Sequence, residues 1–168
     1  MKLLSFTHPD GRAGYGALKG DVIVDLGAHY GARAPDALAL IAHGLLADAA
    51  AFVAGASATL PLTSVRLLPP IPRPGKTICV GLNYHDHVKE TGRALTEKPA
   101  LFLRVAESLV PHGDAIVRPA ESTRLDYEGE IVVVIGPGGR RIAEADAWKH
   151  VAGYSIFNDG SVRDWQNH

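Results

Sequence analysis

The chain has 168 residues, 46% of them hydrophobic, and its 17 Lys and Arg against 18 Asp and Glu give a formal charge of -1. This composition excludes a disordered chain, and the lack of a basic block excludes the phosphate-neutralising surface that nucleic-acid binding needs. The single Cys79 excludes an internal disulfide framework, and the first residues contain no apolar segment long enough for a signal peptide.

The first 68 residues predict a small α+β domain. Three short strands are predicted, at 3–6, 13–18 and 22–26. Glycine accepts a positive φ, so Lys19-Gly20 is predicted as the hairpin turn between the last two. Two helical pieces follow, from Pro35-Asp36 and from about Asp48 to Val53. Segment 36–62 is rich in alanine and interrupted by polar residues, so it predicts helix and not a membrane span, and we expect a cytoplasmic protein.

Residues 69–75 contain four prolines, which make the segment too stiff and too poor in N–H donors for a helix or central strand, so we predict a linker. The part beyond it is rich in predicted strands, at 77–80, 100–103, 108–110, 116–117, 130–135 and 154–157, with a helix from about 143 to 150. Ser161 is predicted as the N-cap of a last helix, with Asp164 three residues later. Only seven residues follow this cap, so we expect the fold to be unfinished at His168.

Three acids lead into the apolar run 131–135, which is predicted as a buried strand. Asp126, Glu128 and Glu130 are two residues apart, so on one strand they would form a row at about 7 Å intervals. Like charges at this spacing raise each other's pKa unless a cation lies among them, and Mg²⁺, Mn²⁺ and Ca²⁺ take oxygen ligands. The pattern therefore indicates either a metal site or the solvated end of a strand.

Two histidines and two acids lie within residues 85–90. If this segment is helical, His87 and Glu90 are at positions i and i+3, where the carboxylate can orient the imidazole as a general base. The alternative is an exposed turn before a helix. A zinc site would need further His or Cys ligands, and none is obvious at a suitable spacing.

Two single residues are also candidates. Arg104 has a planar guanidinium that suits a substrate carboxylate, although a single arginine is more often a surface charge. Asp159 follows the predicted strand 154–157 and precedes Gly160, a position from which side chains commonly enter a pocket. An ordinary turn aspartate is the alternative for Asp159.

Taken in order, these segments resemble the fumarylacetoacetate hydrolase family. The family's Gly-x-Asn-Tyr-x-x-His-x-x-Glu segment is matched by 81–90, and its Lys-Pro-x-x-Phe segment by 98–102. Its metal-binding Glu-x-Glu segment and later Asp are matched by Glu128, Glu130 and Asp159. The resemblance is strong from Lys76 onward and loose over the first 68 residues. The family commonly has lysine where this chain has Arg104, and its members continue well past the equivalent of His168.

This resemblance implies an α+β fold in which a small N-terminal α+β domain, 1–68, and a Pro-rich linker, 69–75, precede an incomplete mixed β-roll, 76–168. It implies a divalent cation, Mg²⁺ with Mn²⁺ or Ca²⁺ as alternatives, and a homodimer. The implied site consists of the metal ligands Glu128, Glu130 and Asp159, the water-activating dyad His87 and Glu90, and the substrate-binding residues Tyr84 and Arg104. Asp126 is then an outer or exposed acid.

The activity that the resemblance implies is the hydrolysis of a C–C bond in acylpyruvate-like 2,4-dioxo acids. A second candidate is the isomerisation or decarboxylation of 2-oxo or 2-hydroxymuconate-type diacids in aromatic catabolism. A third, from a different class, is a non-catalytic member, truncated or split, that binds metal without turnover or folds only with a partner. The sequence leaves these three open, because the choice depends on how the far end of the substrate is held.

Overall fold

A computed structural model describes residues 1–90, 92 and 97–166, without the side chains of His87 and Glu90. The first part of the chain forms a five-stranded antiparallel sheet in the order β4-β3-β2-β1-β5. Its strands are β1 (Lys2–Thr7), β2 (Ala13–Lys19), β3 (Val22–Asp25), β4 (Leu60–Pro61) and β5 (Arg66–Leu68). The predicted hairpin turn is confirmed, because Lys19 pairs with Val22 and Gly20 has a φ of +63°.

Three helices, α1 (Gly27–Tyr30), α2 (Ala37–Ala42) and α3 (Leu46–Gly55), lie between β3 and β4 in the chain. Asp36 caps α2, since its carboxylate accepts a hydrogen bond from the Ala39 N–H at 2.7 Å. The short helix α1 was not predicted, and the Asp25 carboxylate holds its first turn through the Ala28 N–H. Helices and sheet share one apolar core, in which Tyr15, Leu26 and Leu40 are at most 1% exposed.

The second part of the chain consists of three antiparallel strand pairs. The pairs are β6 (Thr77–Gly81) with β7 (Ala100–Arg104), β8 (Leu125–Asp126) with β11 (Ser161–Val162), and β9 (Gly129–Ile135) with β10 (Val151–Asn158). Helices α4 (His85–Glu90) and α5 (Arg163–Gln166) follow β6 and β11, and short 3-10 helices form at Leu62–Ser64, Ala106–Ser108 and Glu144–His150. The mixed helix and strand content confirms the α+β class. Residues 69–75 contain no helix or strand, and the Ser5 hydroxyl donates to the Pro70 carbonyl at 2.8 Å.

Several local predictions in the second part are wrong. Segments 108–110 and 116–117 are not strands, because neither has a pairing partner and the Ser108 hydroxyl closes a 3-10 turn on the Val105 carbonyl. The helix predicted at 143–150 is 3-10. Ser161 does not cap a helix, since it pairs with Asp126 in β11 and its hydroxyl bonds to the Asp159 carbonyl.

The row of three acids on one buried strand is also not formed. Asp126 belongs to β8, whereas Glu130 belongs to β9, and the two strands pair with different partners. Strand β9 is exposed on one face, where Ile131 is 68% and Ile135 61% exposed. In an antiparallel pair alternate side chains point to opposite faces, so one apolar row can face outward even when the run is continuous.

Among the residues that the structure describes, no helix is both long enough and apolar enough to cross a bilayer.

Candidate functional site

The backbone holds Glu128 and Asp159 side by side. The Asp159 N–H donates to the Glu128 carbonyl at 2.9 Å, and the Glu128 N–H donates to the Asn158 side chain at 3.0 Å. Glu130 lies two residues further along, in β9 opposite Phe157. The three acids predicted as metal ligands therefore lie at one end of the β9–β10 pair, although Asp126 is on a separate strand.

The carboxylate of Asp159 is buried, with 6% of the residue exposed, and it faces Arg104. Arg104 Nη2 lies 2.5 Å from Asp159 Oδ1, and the Arg104 side chain is 29% exposed. The contact is close but poorly aligned: among the described residues, neither Asp159 Oδ1 nor Arg104 Nε has a hydrogen-bond partner. Arg104 also makes a long bond of 3.4 Å to the Gly160 carbonyl. Asp159 is thus neutralised by charge without being satisfied by hydrogen bonds.

A second arginine, Arg163, lies between the two acids that precede β9. Its Nε and Nη2 atoms lie 3.0 Å and 2.9 Å from Asp126 Oδ2, and its Nη1 atom lies 3.2 Å from Glu128 Oε1. Burial lowers the pKa of Arg163, but its hydrogen bonds and charge pairs with Asp126 and Glu128 outweigh burial, so the net direction is upward. Arg163 therefore supplies a cation beside Asp126 and Glu128.

Arg163 and Cys79 are not among the functional residues predicted from the sequence. The acid-x-acid pattern indicates that a cation is near, but only the pairing of β8 with β11 identifies Arg163 as that cation. Burial raises the pKa of the Cys79 thiol most, and the charge of Asp159 raises it further; Arg104 lowers it and Glu130 raises it. The charges at the end of the β9–β10 pair therefore affect the pKa of Cys79 on β6. This relation joins residues far apart in the chain, so no local pattern could reveal it.

The predicted metal ligands are of the chemical type that a hard divalent cation binds. Glu128, Glu130 and Asp159 offer carboxylate oxygens, and the buried Oδ1 of Asp159 is an acceptor without a hydrogen-bond donor in the described part of the chain. The three carboxylates are not arranged around one common position, as the ligands of a bound cation would be. Across the ranges that the structure describes, no three Asp, Glu, His or Cys side chains converge as a metal-binding group. Two of the three carboxylates face arginines instead.

The predicted catalytic segment forms helix α4 directly after β6. Residues 87 and 90 are three positions apart on this helix, but the side chains of His87 and Glu90 lie outside the described residues, so the dyad stays a prediction. The backbone before the helix is unusual, because Leu82 has a φ of +55°. This left-handed conformation is costly for a residue with a Cβ, and such strain tends to persist at functional sites.

A depression of about 180 Å³ lies beside α4. Its lining comes from the end of β6, from α4 and from the segment before β7, including Asn83, His85 and Lys98. Val88 anchors the helix, since it is only 3% exposed, whereas the predicted substrate-binding Tyr84 is 58% exposed. In the described part of the chain, the predicted metal ligands Glu128, Glu130 and Asp159 do not line this depression.

Comparisons with known proteins match this arrangement of segments. The family described as "Fumarylacetoacetate (FAA) hydrolase C-terminal" matches residues 76–168. The mitochondrial oxaloacetate tautomerase FAHD2A of Homo sapiens is 44% identical over 107 residues, which are 64% of this chain and 34% of the human protein. The chain therefore spans about a third of that relative's length.

Solved structures match the first part of the chain as well. A fumarylacetoacetate hydrolase from Exiguobacterium antarcticum is 35% identical with a TM-score of 0.73, covering 99% of this chain and 58% of that one. Maleylpyruvate hydrolase from Sphingobium sp. SYK-6, in complex with manganese(II) and pyruvate, is 30% identical with a TM-score of 0.76, covering 97% of this chain and 60% of that one. The chain belongs to the fumarylacetoacetate hydrolase family.

Proposed function

We propose that this chain carries the metal-binding and catalytic segments of an enzyme that hydrolyses a C–C bond in acylpyruvate-like 2,4-dioxo acids. The observation that carries the proposal is the backbone hydrogen bond that joins Glu128 to Asp159, with Glu130 two residues further along, in a member of this family. The maleylpyruvate hydrolase neighbour supports it, because its complex contains manganese and pyruvate. Pyruvate is also the product that hydrolysis of an acylpyruvate releases.

Glu128, Glu130 and Asp159 would hold the divalent cation, Mg²⁺ or Mn²⁺. Three carboxylates would fill only part of the coordination sphere of such a cation, and the remaining positions suit a ligand that brings both a carboxylate and a keto oxygen. When bound, the cation would supply positive charge where the enolate of the leaving 2-oxo acid develops.

His87 would act as the general base, and Glu90, one helical turn later, would orient its imidazole. In this proposal His87 takes a proton from water as the water oxygen attacks the carbonyl carbon distal to the carboxylate. The C–C bond then breaks, its electron pair passes to the carbon that leaves as the pyruvate enolate, and the imidazolium returns the proton to that carbon. The products are a carboxylic acid and pyruvate, so atoms and charges balance.

The experiment compares Glu130→Gln with His87→Ala in the protein that carries this sequence. Calorimetry with Mn²⁺, with and without oxalate as a mimic of the enolate, measures binding, and acetylpyruvate turnover measures catalysis. Glu130→Gln should lose metal affinity and turnover together. His87→Ala should keep metal affinity within about twofold and lose roughly 10²- to 10⁴-fold in kcat, the usual contribution of a general base. Equal losses of metal affinity in both variants would contradict these separate roles.

A second candidate is tautomerisation of a 2-oxo diacid, and the specific observation in its favour is the 44% identity to an oxaloacetate tautomerase. The same cation would stabilise the same type of enolate, but a proton would move between carbon and oxygen and no C–C bond would break. Parallel assays with acetylpyruvate, the enol form of oxaloacetate and a hydroxymuconate-type diacid separate hydrolysis from isomerisation. Mn²⁺ binding that depends on Glu130, with no turnover of any of them, would favour the non-catalytic alternative.

A further inference from the structure

Arg104 and Asp159 form an ion pair in which the carboxylate is buried. Their atoms Nη2 and Oδ1 are 2.5 Å apart, and the side chains are 29% and 8% exposed. The pair joins the end of β7 to the residue after β10. It therefore places a guanidinium on one of the three carboxylates that the proposed function assigns to the cation.

We propose that Arg104 competes with the divalent cation for Asp159, so that cation binding requires the guanidinium to leave this carboxylate. This inference rests on the proposed function, since it takes Asp159 as a metal ligand. Arg104 is then a positioning residue that sets the affinity of the site for its cation and holds the buried aspartate when no cation is bound.

The geometry of the pair supports replacement of one partner by the other. Buried Asp159 Oδ1 and Arg104 Nε both lack a hydrogen-bond partner among the described residues, so the contact neutralises charge and leaves two polar atoms unsatisfied. A divalent cation offers Asp159 a stronger positive charge and a ligand bond to this oxygen. Because a guanidinium and a cation repel each other at close range, both cannot stay on Oδ1 at full strength.

The side chain of Arg104 has alternative surroundings into which it can move. It is partly exposed, its guanidinium carbon lies 5.9 Å from the centre of the Phe102 ring, and its bond to the Gly160 carbonyl is long at 3.4 Å. The guanidinium already lies over the face of Phe102, so on leaving Asp159 it can turn toward water beside this ring. By contrast, the backbone of Asp159 is held by its hydrogen bond to Glu128, and the residue is buried.

The test measures Mn²⁺ affinity by calorimetry at fixed ionic strength for four proteins: wild type, Arg104→Gln, Arg104→Lys and the control Arg66→Gln. Arg66 forms an ion pair of 2.6 Å with Asp114, so the control removes the same charge from a pair that does not include Asp159. Arg104→Gln should raise Mn²⁺ affinity roughly tenfold, within the usual range for coupled sites, whereas Arg66→Gln should stay within about twofold of wild type. Arg104→Lys keeps the charge without the planar fork and should give an intermediate rise.

A second readout follows the guanidinium itself. The side-chain Nε–H signal of Arg104, assigned by its disappearance in Arg104→Lys, should shift in nitrogen-15 spectra as diamagnetic Mg²⁺ is added, and that of Arg66 should not. If Arg104→Gln unfolds, as judged by circular dichroism, the lysine variant and this signal still decide the question.

The outcomes separate this inference from the proposed function. Mn²⁺ affinity that falls in Glu130→Gln but is unchanged in both Arg104 variants would overturn the competition and leave the metal site standing. Affinity that rises in Arg66→Gln as much as in Arg104→Gln would show a general charge effect and would also overturn it. Metal affinity that is unchanged in Glu130→Gln and in both Arg104 variants would overturn both proposals.

Discussion

Replacing Tyr15 by phenylalanine isolates one buried hydrogen bond in the first part of the chain. Tyr15 is 1% exposed, and its hydroxyl donates to the Ala34 carbonyl at 2.6 Å. Ala34 is itself fully buried in the segment between α1 and α2, so this bond fastens that segment to the sheet. The variant keeps the ring and removes only the donor.

The expected loss in the free energy of unfolding comes from the Ala34 carbonyl, which keeps no hydrogen-bond donor among the described residues in the variant. A buried carbonyl left without its donor costs about 1–3 kcal/mol, and the retained ring adds almost no cavity term. For a chain of this size, that corresponds to a fall in Tm of roughly 2–12 °C. The matched control is Tyr154→Phe, because Tyr154 is 61% exposed and should change stability by no more than about 0.5 kcal/mol.

Urea unfolding followed by circular dichroism at pH 7 measures both free energies of unfolding. A Tyr15→Phe variant within about 0.5 kcal/mol of wild type would refute the argument. The pH dependence is a second check. Burial, followed by the charge of Asp36, raises the pKa of Tyr15, so the folded chain keeps this proton longer than the unfolded chain does. The wild type should therefore lose stability as pH rises past about 10, the pKa of an unfolded tyrosine, and Tyr15→Phe should lose less.

Two further predictions concern the second part of the chain. Because burial and then Asp159 raise the pKa of Cys79, iodoacetamide should alkylate it at pH 8 several-fold more slowly than in the urea-unfolded chain, and equal rates would contradict this environment. Ile156 is 88% exposed opposite Ile131, so the chain of this sequence should bind a hydrophobic dye and self-associate. Ile156→Ser should reduce both without loss of stability, and unchanged self-association by sedimentation would show that this face is not responsible.

Local patterns predicted much of the first part correctly. The strands near 3–6, 13–18 and 22–26, the turn at Gly20 and the start of a helix at Asp36 depend on neighbours in sequence, through alternation, φ preference and helix-start preference. The errors cluster between residues 106 and 162, where short segments adopt strand or 3-10 geometry according to whether a distant partner is present. Ser161 illustrates this, because pairing with Asp126 overrides its capping preference.

The sequence by itself determined the family and the candidate residues. The residue types and spacing of the segments 81–90, 98–102 and 128–130 can be recognised without knowing which residues are in contact. Only the tertiary structure decided which charges meet. The pattern of acids indicated either a cation site or a solvated strand end. The fold places Arg163 beside Asp126 and Glu128, which are 37 and 35 positions away in the chain, and Arg104 beside Asp159, which is 55 positions away. Electrostatic pairing depends on distance in space, and strand pairing, which no local pattern encodes, sets that distance.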